Sequence, residues 1–202
     1  MLKVGFGNAS ISPDFPVYIS GGYYPKRISE KTIDDLKVVC TALTDDDGKT
    51  VLLISQDMEE SFDHYVDETR QRIEAATGVP FDDIYVSSTH THSAPGVNRK
   101  LTGVLQFLDL YYESAVKAAV QAMADRAPAE TLVGTTQAKG MVFVRRYKLA
   151  DGTYQGASGN FSKCTELVDH AYPSDETVQI IRFVREGKIG RASCRERVFM
   201  LV

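Results

Sequence analysis

Ser87-Ser88-Thr89-His90-Thr91-His92-Ser93-Ala94-Pro95-Gly96 places two of the chain's four histidines two residues apart. The run before it, Ile84-Tyr85-Val86, is β-branched and aromatic, whereas Pro95 and Gly96 break extended structure just beyond it. His90 and His92 are therefore expected where a strand empties into a loop. On an extended backbone residues i and i+2 share a face, so both imidazoles can look into one pocket. Neutral imidazole is a common zinc ligand, and a second ring nearby is placed for proton transfer. Set against this, a histidine at a strand end is often structural or solvated.

Working outward, the chain alternates strand-like and helix-like periods. Strands are predicted over residues 3–11, 37–44, 50–56, 82–88, 130–137, 140–147 and 176–184, with Asp45-Asp46-Asp47-Gly48 as a hairpin turn. Helices are predicted over 61–77, capped by Ser61 and stopped at Gly78 before Pro80, and over 107–126, stopped at Pro128. Leu108, Tyr112, Ala115, Val116, Ala119, Val120 and Met123 repeat at helical spacing and read as a core stripe. This pattern predicts an α/β fold of mixed β-sheets flanked by helices, in a single domain with neither internal repeats nor a low-complexity linker.

The histidine segment resembles the zinc-site loop of the neutral (alkaline, non-lysosomal) ceramidase family, a T-H-T-H-S-G-P-G-like motif in which Ala94 replaces the first glycine. Other segments resemble the same family in order. Val4-Gly5-Phe6-Gly7 with Ala9-Ser10-Ile11-Ser12-Pro13 is similar to its opening strand and turn, and Gly21-Gly22-Tyr23 to the next glycine turn. Ile54-Ser55-Gln56-Asp57 resembles a strand ending in an acidic residue. Phe143-Val144-Arg145-Arg146-Tyr147 before Asp151-Gly152-Thr153 resembles an N-R-R-Y and D-G-T run, with Val144 in place of the asparagine. Asp175-Glu176-Thr177-Val178 with Ile181-Arg182-Phe183 resembles a D-P-E-V and L-R-F strand.

The resemblance implies hydrolysis of an N-acyl amide, of ceramide or a similar N-acylated amphiphile, by a water whose pKa a zinc ion lowers. It implies that His90 is the zinc ligand and that His92 lies close to metal and substrate. It also implies that Arg145 holds substrate oxygen or developing negative charge; a surface ion pair beside Arg146 is the other reading. The family's remaining ligands, a second histidine, a glutamate and a tyrosine, fall in segments beyond this sequence. A catalytic zinc takes three protein ligands and an open position, so the polypeptide as written is expected to be inactive and its parent to be the hydrolase. A non-catalytic binding domain of the same fold is the alternative.

Other candidates have plainer readings. Asp57 either supports an imidazole as an outer carboxylate or caps the chain. His170, before the last strand, is a ligand only if the site is rearranged, and His64 reads as a surface residue on the first helix. The Gly21-Gly22 turn lacks the Lys-Ser and helix start of a phosphate loop.

From Ile189 the sequence back-translates as ATC GGA AGA GCG TCG TGT AGG GAA AGA GTG, the pattern of a sequencing adapter. Residues 1–188 are accordingly expected to be a partial catalytic domain and residues 189–202 a non-native read-through tail. Omitting the tail removes three arginines and one glutamate, moving the net charge from −4 to −6. An acidic chain without a basic patch argues against a nucleic-acid partner and leaves a small-molecule or lipid amide as the expected one. Cys40 and Cys164 lack C-x-x-C spacing and read as free thiols. Neither a signal peptide nor a transmembrane segment is visible, which predicts a cytoplasmic location.

Overall fold

A computed structural model describes residues 1–21, 27–156 and 167–185. Within them the chain runs β1 (Lys3–Ser10), β2 (Tyr18–Ile19), β3 (Arg27–Ile28), β4 (Lys37–Thr44), β5 (Thr50–Gln56), α1 (Asp63–Thr77), β6 (Ile84–Ser88), α2 (Val104–Ala124) and β7 (Ala127–Pro128). It continues through β8 (Glu130–Gln137), β9 (Arg146–Leu149), β10 (Tyr154–Gly156), β11 (Leu167–His170) and β12 (Thr177–Val184). The expected α/β class, mixed sheets with helices, is what the chain adopts. The described residues divide into two units, Met1–Glu130 with Arg185, and Thr131–Val184.

The first unit is built on a sheet of order β6-β5-β4-β1-β7. β4 and β5 form an antiparallel hairpin from Val38 opposite Gln56 to Thr44 opposite Thr50. The predicted Asp45–Gly48 turn closes it, because Asp45 Oδ1 accepts the amides of Asp47 and Lys49 and Gly48 takes a φ of 86°. α1 then carries the chain over to β6, which pairs in parallel with β5. β5 alternates so that Leu52, Ile54 and Gln56 are fully buried. Each such aliphatic side chain contributes about 1.5–3 kcal/mol.

α2 lies across β1 and β4. Gly5 and Gly7 make this possible: a Cβ on either would overlap the carbonyl oxygen of Ala122 or Ala118. The facing stripe of the helix is correspondingly small, with Ala115, Ala118, Ala119 and Ala122 all buried. The glycine pair of the opening strand thus serves close helix packing.

Several predicted boundaries move. α1 starts at Asp63 after Phe62, and Ser61 is not its cap; its hydroxyl donates to Ser88 Oγ at 2.7 Å instead. α2 starts three residues early because Gly103 takes a left-handed φ of 70°, and it buries Phe107 and Tyr111 while Val120 is exposed. In the predicted strand 140–147 only Arg146 and Tyr147 belong to β9.

The second unit contains a three-stranded sheet of order β10-β9-β11 and the two-stranded pair β12-β8. Its strands are short or largely exposed, with every residue of β8 solvent-accessible. Cys164, Gly22 and the predicted tail 189–202 lie outside the described residues.

Candidate functional site

Beyond the carboxyl ends of the parallel pair β5 and β6, the chain enters the loops 57–62 and 89–103, a position where open α/β sheets commonly bind ligands. Asp57 joins the two strand ends. Its carboxylate accepts the Lys37 amide at 2.9 Å and the Thr89 hydroxyl at 3.2 Å, while the Thr89 amide continues the pairing to Gln56 O. Asp57 therefore positions the chain immediately before His90. On its far side the loop is sewn to β2, with Ser20 N donating to Ala94 O and Gly96 N to Tyr18 O.

His90 has a φ of 58°, the one left-handed non-glycine residue among those described. Such a backbone costs on the order of 1–2 kcal/mol. It turns the ring back so that Nδ1 lies 2.6 Å from Glu59 O. His92 places Nδ1 3.1 Å from Gly21 O, and a side chain at Gly21 would overlap the His92 ring. A carbonyl can only accept, so each ring donates from Nδ1 and, in its neutral form, presents an Nε2 lone pair. The two Nε2 atoms stand 3.5 Å apart with the rings nearly perpendicular. Glu59 Oε1 lies 3.7 Å from His92 Nε2, and Glu59 Oε2 accepts the Ser20 hydroxyl. Arg27 ties the same corner together through Ser20 O at 2.6 Å and His92 O at 2.9 Å.

A buried polar network underlies this corner. Gln56, fully buried at the core-facing end of β5, donates to Tyr65 Oη at 2.7 Å and Ser88 Oγ at 2.9 Å and accepts from the Tyr111 hydroxyl. Tyr65 and Ser88 both donate onward to Glu60 O. The loop carrying Glu59 is thus held from below, and no buried side-chain polar atom among the described residues lacks a partner. Burial raises the pKa of Tyr65 and of Tyr111. Desolvation, and then the neighbouring Glu59 carboxylate, raises that of Glu60. An open groove of about 470 Å³ adjoins the network, walled by Tyr18, Phe62 and Leu101 and edged by Ser20, Glu60 and Asn98.

The sequence-predicted residues sort as follows. His90 and His92 converge as their spacing predicts. Arg145 is exposed and belongs to the second unit, in the turn before β9. His170, in the same unit, bonds Val144 O through Nδ1 at 2.8 Å and lies against Tyr147, a structural placement. His64 is exposed beside Phe62 in the first turn of α1. Glu59, Gln56 and Gly21 were not singled out for roles, although a glutamine at a core-facing position of a strand is a readable signal.

Among the described residues, no group of three or more His, Cys, Asp or Glu side chains is arranged to hold a metal ion. No helix among them is long and apolar enough to cross a membrane.

No protein-family model matches the chain, and no curated protein matches it in sequence. Solved structures do. The neutral ceramidase from Pseudomonas aeruginosa superposes with a TM-score of 0.68 at 16% identity, over 92% of this chain and 30% of that one. A ceramidase complexed with C2 superposes with a TM-score of 0.63 at 15% identity, over 92% of this chain and 29% of that one. At this identity the likeness establishes the fold, and the chain spans less than a third of either structure's length.

Proposed function

We propose that this chain forms the first part of the catalytic site of a zinc-dependent amide hydrolase of the neutral-ceramidase type, whose parent protein cleaves the N-acyl amide of ceramide or a similar N-acylated amphiphile. The observation carrying this reading is the histidine pair, with both Nδ1 atoms tied to carbonyls and both Nε2 atoms turned to one space. Imidazoles that ligate metals characteristically have the second nitrogen bonded in this way. The fold shared with two ceramidase structures supports the same reading.

The donor set fits the metal in part. His90 and His92 supply nitrogens, with His90 as the ligand and His92 on the substrate side. Zinc, when bound, would lower the pKa of a water and polarise the amide carbonyl. The residues of this chain do the orienting. Glu59 O and Gly21 O fix the rings, Asp57 fixes the approach of the strand, and the groove offers an aromatic wall to an amphiphile's apolar portion. With His90 alone, or His90 and His92, against the three protein ligands a catalytic zinc takes, the 202-residue chain by itself is inactive.

Two measurements test this. Zinc in the purified chain is expected to be substoichiometric and readily lost by mass spectrometry; tightly held stoichiometric zinc would refute the inactive-fragment reading. In an acyl-release assay, a parent protein supplying the remaining ligands is expected to hydrolyse N-acyl amides and to lose that activity in His90→Ala. The incomplete donor set among the described residues favours one second reading, a non-catalytic binding domain. An inactive parent that still binds N-acylated amphiphiles would select it.

A further inference from the structure

We propose that Glu59 is the positioning residue of the two-histidine site: its backbone sets the tautomer of His90, and its carboxylate sets the charge facing His92 Nε2. The carbonyl of Glu59 lies 2.6 Å from His90 Nδ1. Because it accepts only, the His90 proton is held on Nδ1 and the Nε2 lone pair is turned toward His92. The same residue sends its carboxylate to the other ring, with Oε1 3.7 Å from His92 Nε2. Its second oxygen is engaged by the Ser20 hydroxyl.

Burial separates Glu59 from an ordinary surface glutamate. Its side chain is 15% exposed, whereas that of His92 is 55% exposed. It also sits between two fixed points: the Glu60 carbonyl is held from below by Tyr65 and Ser88, and Ser20 is held by Arg27. His90 Nε2 and Glu59 Oε1 thus both face His92 Nε2, at 3.5 and 3.7 Å. A carboxylate beside these nitrogens favours a positive occupant, and under the zinc reading that occupant is a divalent cation on the His90 nitrogen. Glu59 lies beside that donor pair as its charge partner. Only this cation arm rests on the zinc reading; the tautomer arm stands on hydrogen bonds alone.

The test uses the full 202-residue chain, wild type and Glu59→Gln, with the thermal transition confirming that both are folded. Long-range proton–nitrogen spectra of ¹⁵N-histidine-labelled, metal-free protein at pH 8.5 are expected to show His90 and His92 as Nδ1–H tautomers. In Glu59→Gln the His90 pattern should persist, since the carbonyl remains, while the His92 Nε2 resonance moves as an amide donor replaces the carboxylate. Zinc affinity, by competition with a chromogenic chelator, should fall at least about tenfold, the loss usual for partners just outside a metal's ligands. An unchanged His92 Nε2 resonance, or equal zinc affinities in the two proteins, overturns the proposal. If the wild type takes up no zinc at all, the zinc reading fails and the spectra alone decide the role of Glu59.

Discussion

His90, Gln56 and Cys40 show how differently single side chains are used in one unit. His90 holds a left-handed backbone so that its ring reaches Glu59 O. Gln56 takes a core position in β5 and spends its amide on Tyr65, Ser88 and Tyr111. Replacing it with leucine keeps a similar volume but leaves the buried Tyr111 hydroxyl without its acceptor, while Tyr65 still donates to Glu60 O, at a cost of about 1–3 kcal/mol. Gln56→Leu is accordingly expected to lower the denaturation midpoint without changing the m-value; unchanged stability would show that the network contributes nothing. Cys40, on the same buried face of the neighbouring strand, has the opposite character. Burial pushes its thiol up to about 12. The nucleophile is the thiolate, so peptide-mapped alkylation at pH 8 should leave Cys40 unlabelled in the folded chain and label it once denaturant is added. Rapid native labelling of that cysteine would mean that β4 is not packed as described.

The strand β1 and the helix α2 depend on each other's smallness. Gly7 faces the backbone of Ala118, and neither partner has a flexible side chain with which to give way. Gly7→Ala is expected to destabilise by about 1–3 kcal/mol, the usual cost of overpacking, measured by chemical denaturation; a neutral result would require the helix to move outward without loss. Strands with clean alternation, such as β4 and β5, were legible because one face is core and the other is not. Helix starts were less so: α1 lost its apparent serine cap to a tertiary bond with Ser88, and α2 began at a glycine whose left-handed turn carries no apolar period. Short pairings such as β2, β3, β7, β10 and β11 escaped because two to four residues show no period. In the site, the histidine spacing was readable from the chain. Gly21 and Glu59 were not, since their roles depend on contacts 71 and 31 residues away in sequence.

Across the molecule, the first unit is discontinuous in sequence, closing only with Arg185. That arginine is buried, donates to Asp125 Oδ2 at 2.8 Å, to Asp125 O at 2.7 Å and to Val4 O at 3.3 Å, and lies over the Phe6 ring. It therefore clamps the end of α2 to the first strand. Arg185→Ala removes the guanidinium from a partly buried carboxylate that keeps the Phe6 amide at 3.0 Å, with an expected cost of about 3 kcal/mol, the low end for breaking a buried pair; thermal denaturation checks it, and a loss below 1 kcal/mol would reduce the clamp to decoration. Arg185 and Val4 are separated by 181 positions. On a ribosome, residues 1–130 emerge with their sheet and both helices complete, yet the residue that locks them is polymerised roughly 3–10 s later at ordinary elongation rates. During that interval the nascent first unit exists without its latch, and this is the window in which a chaperone or a protease would meet it.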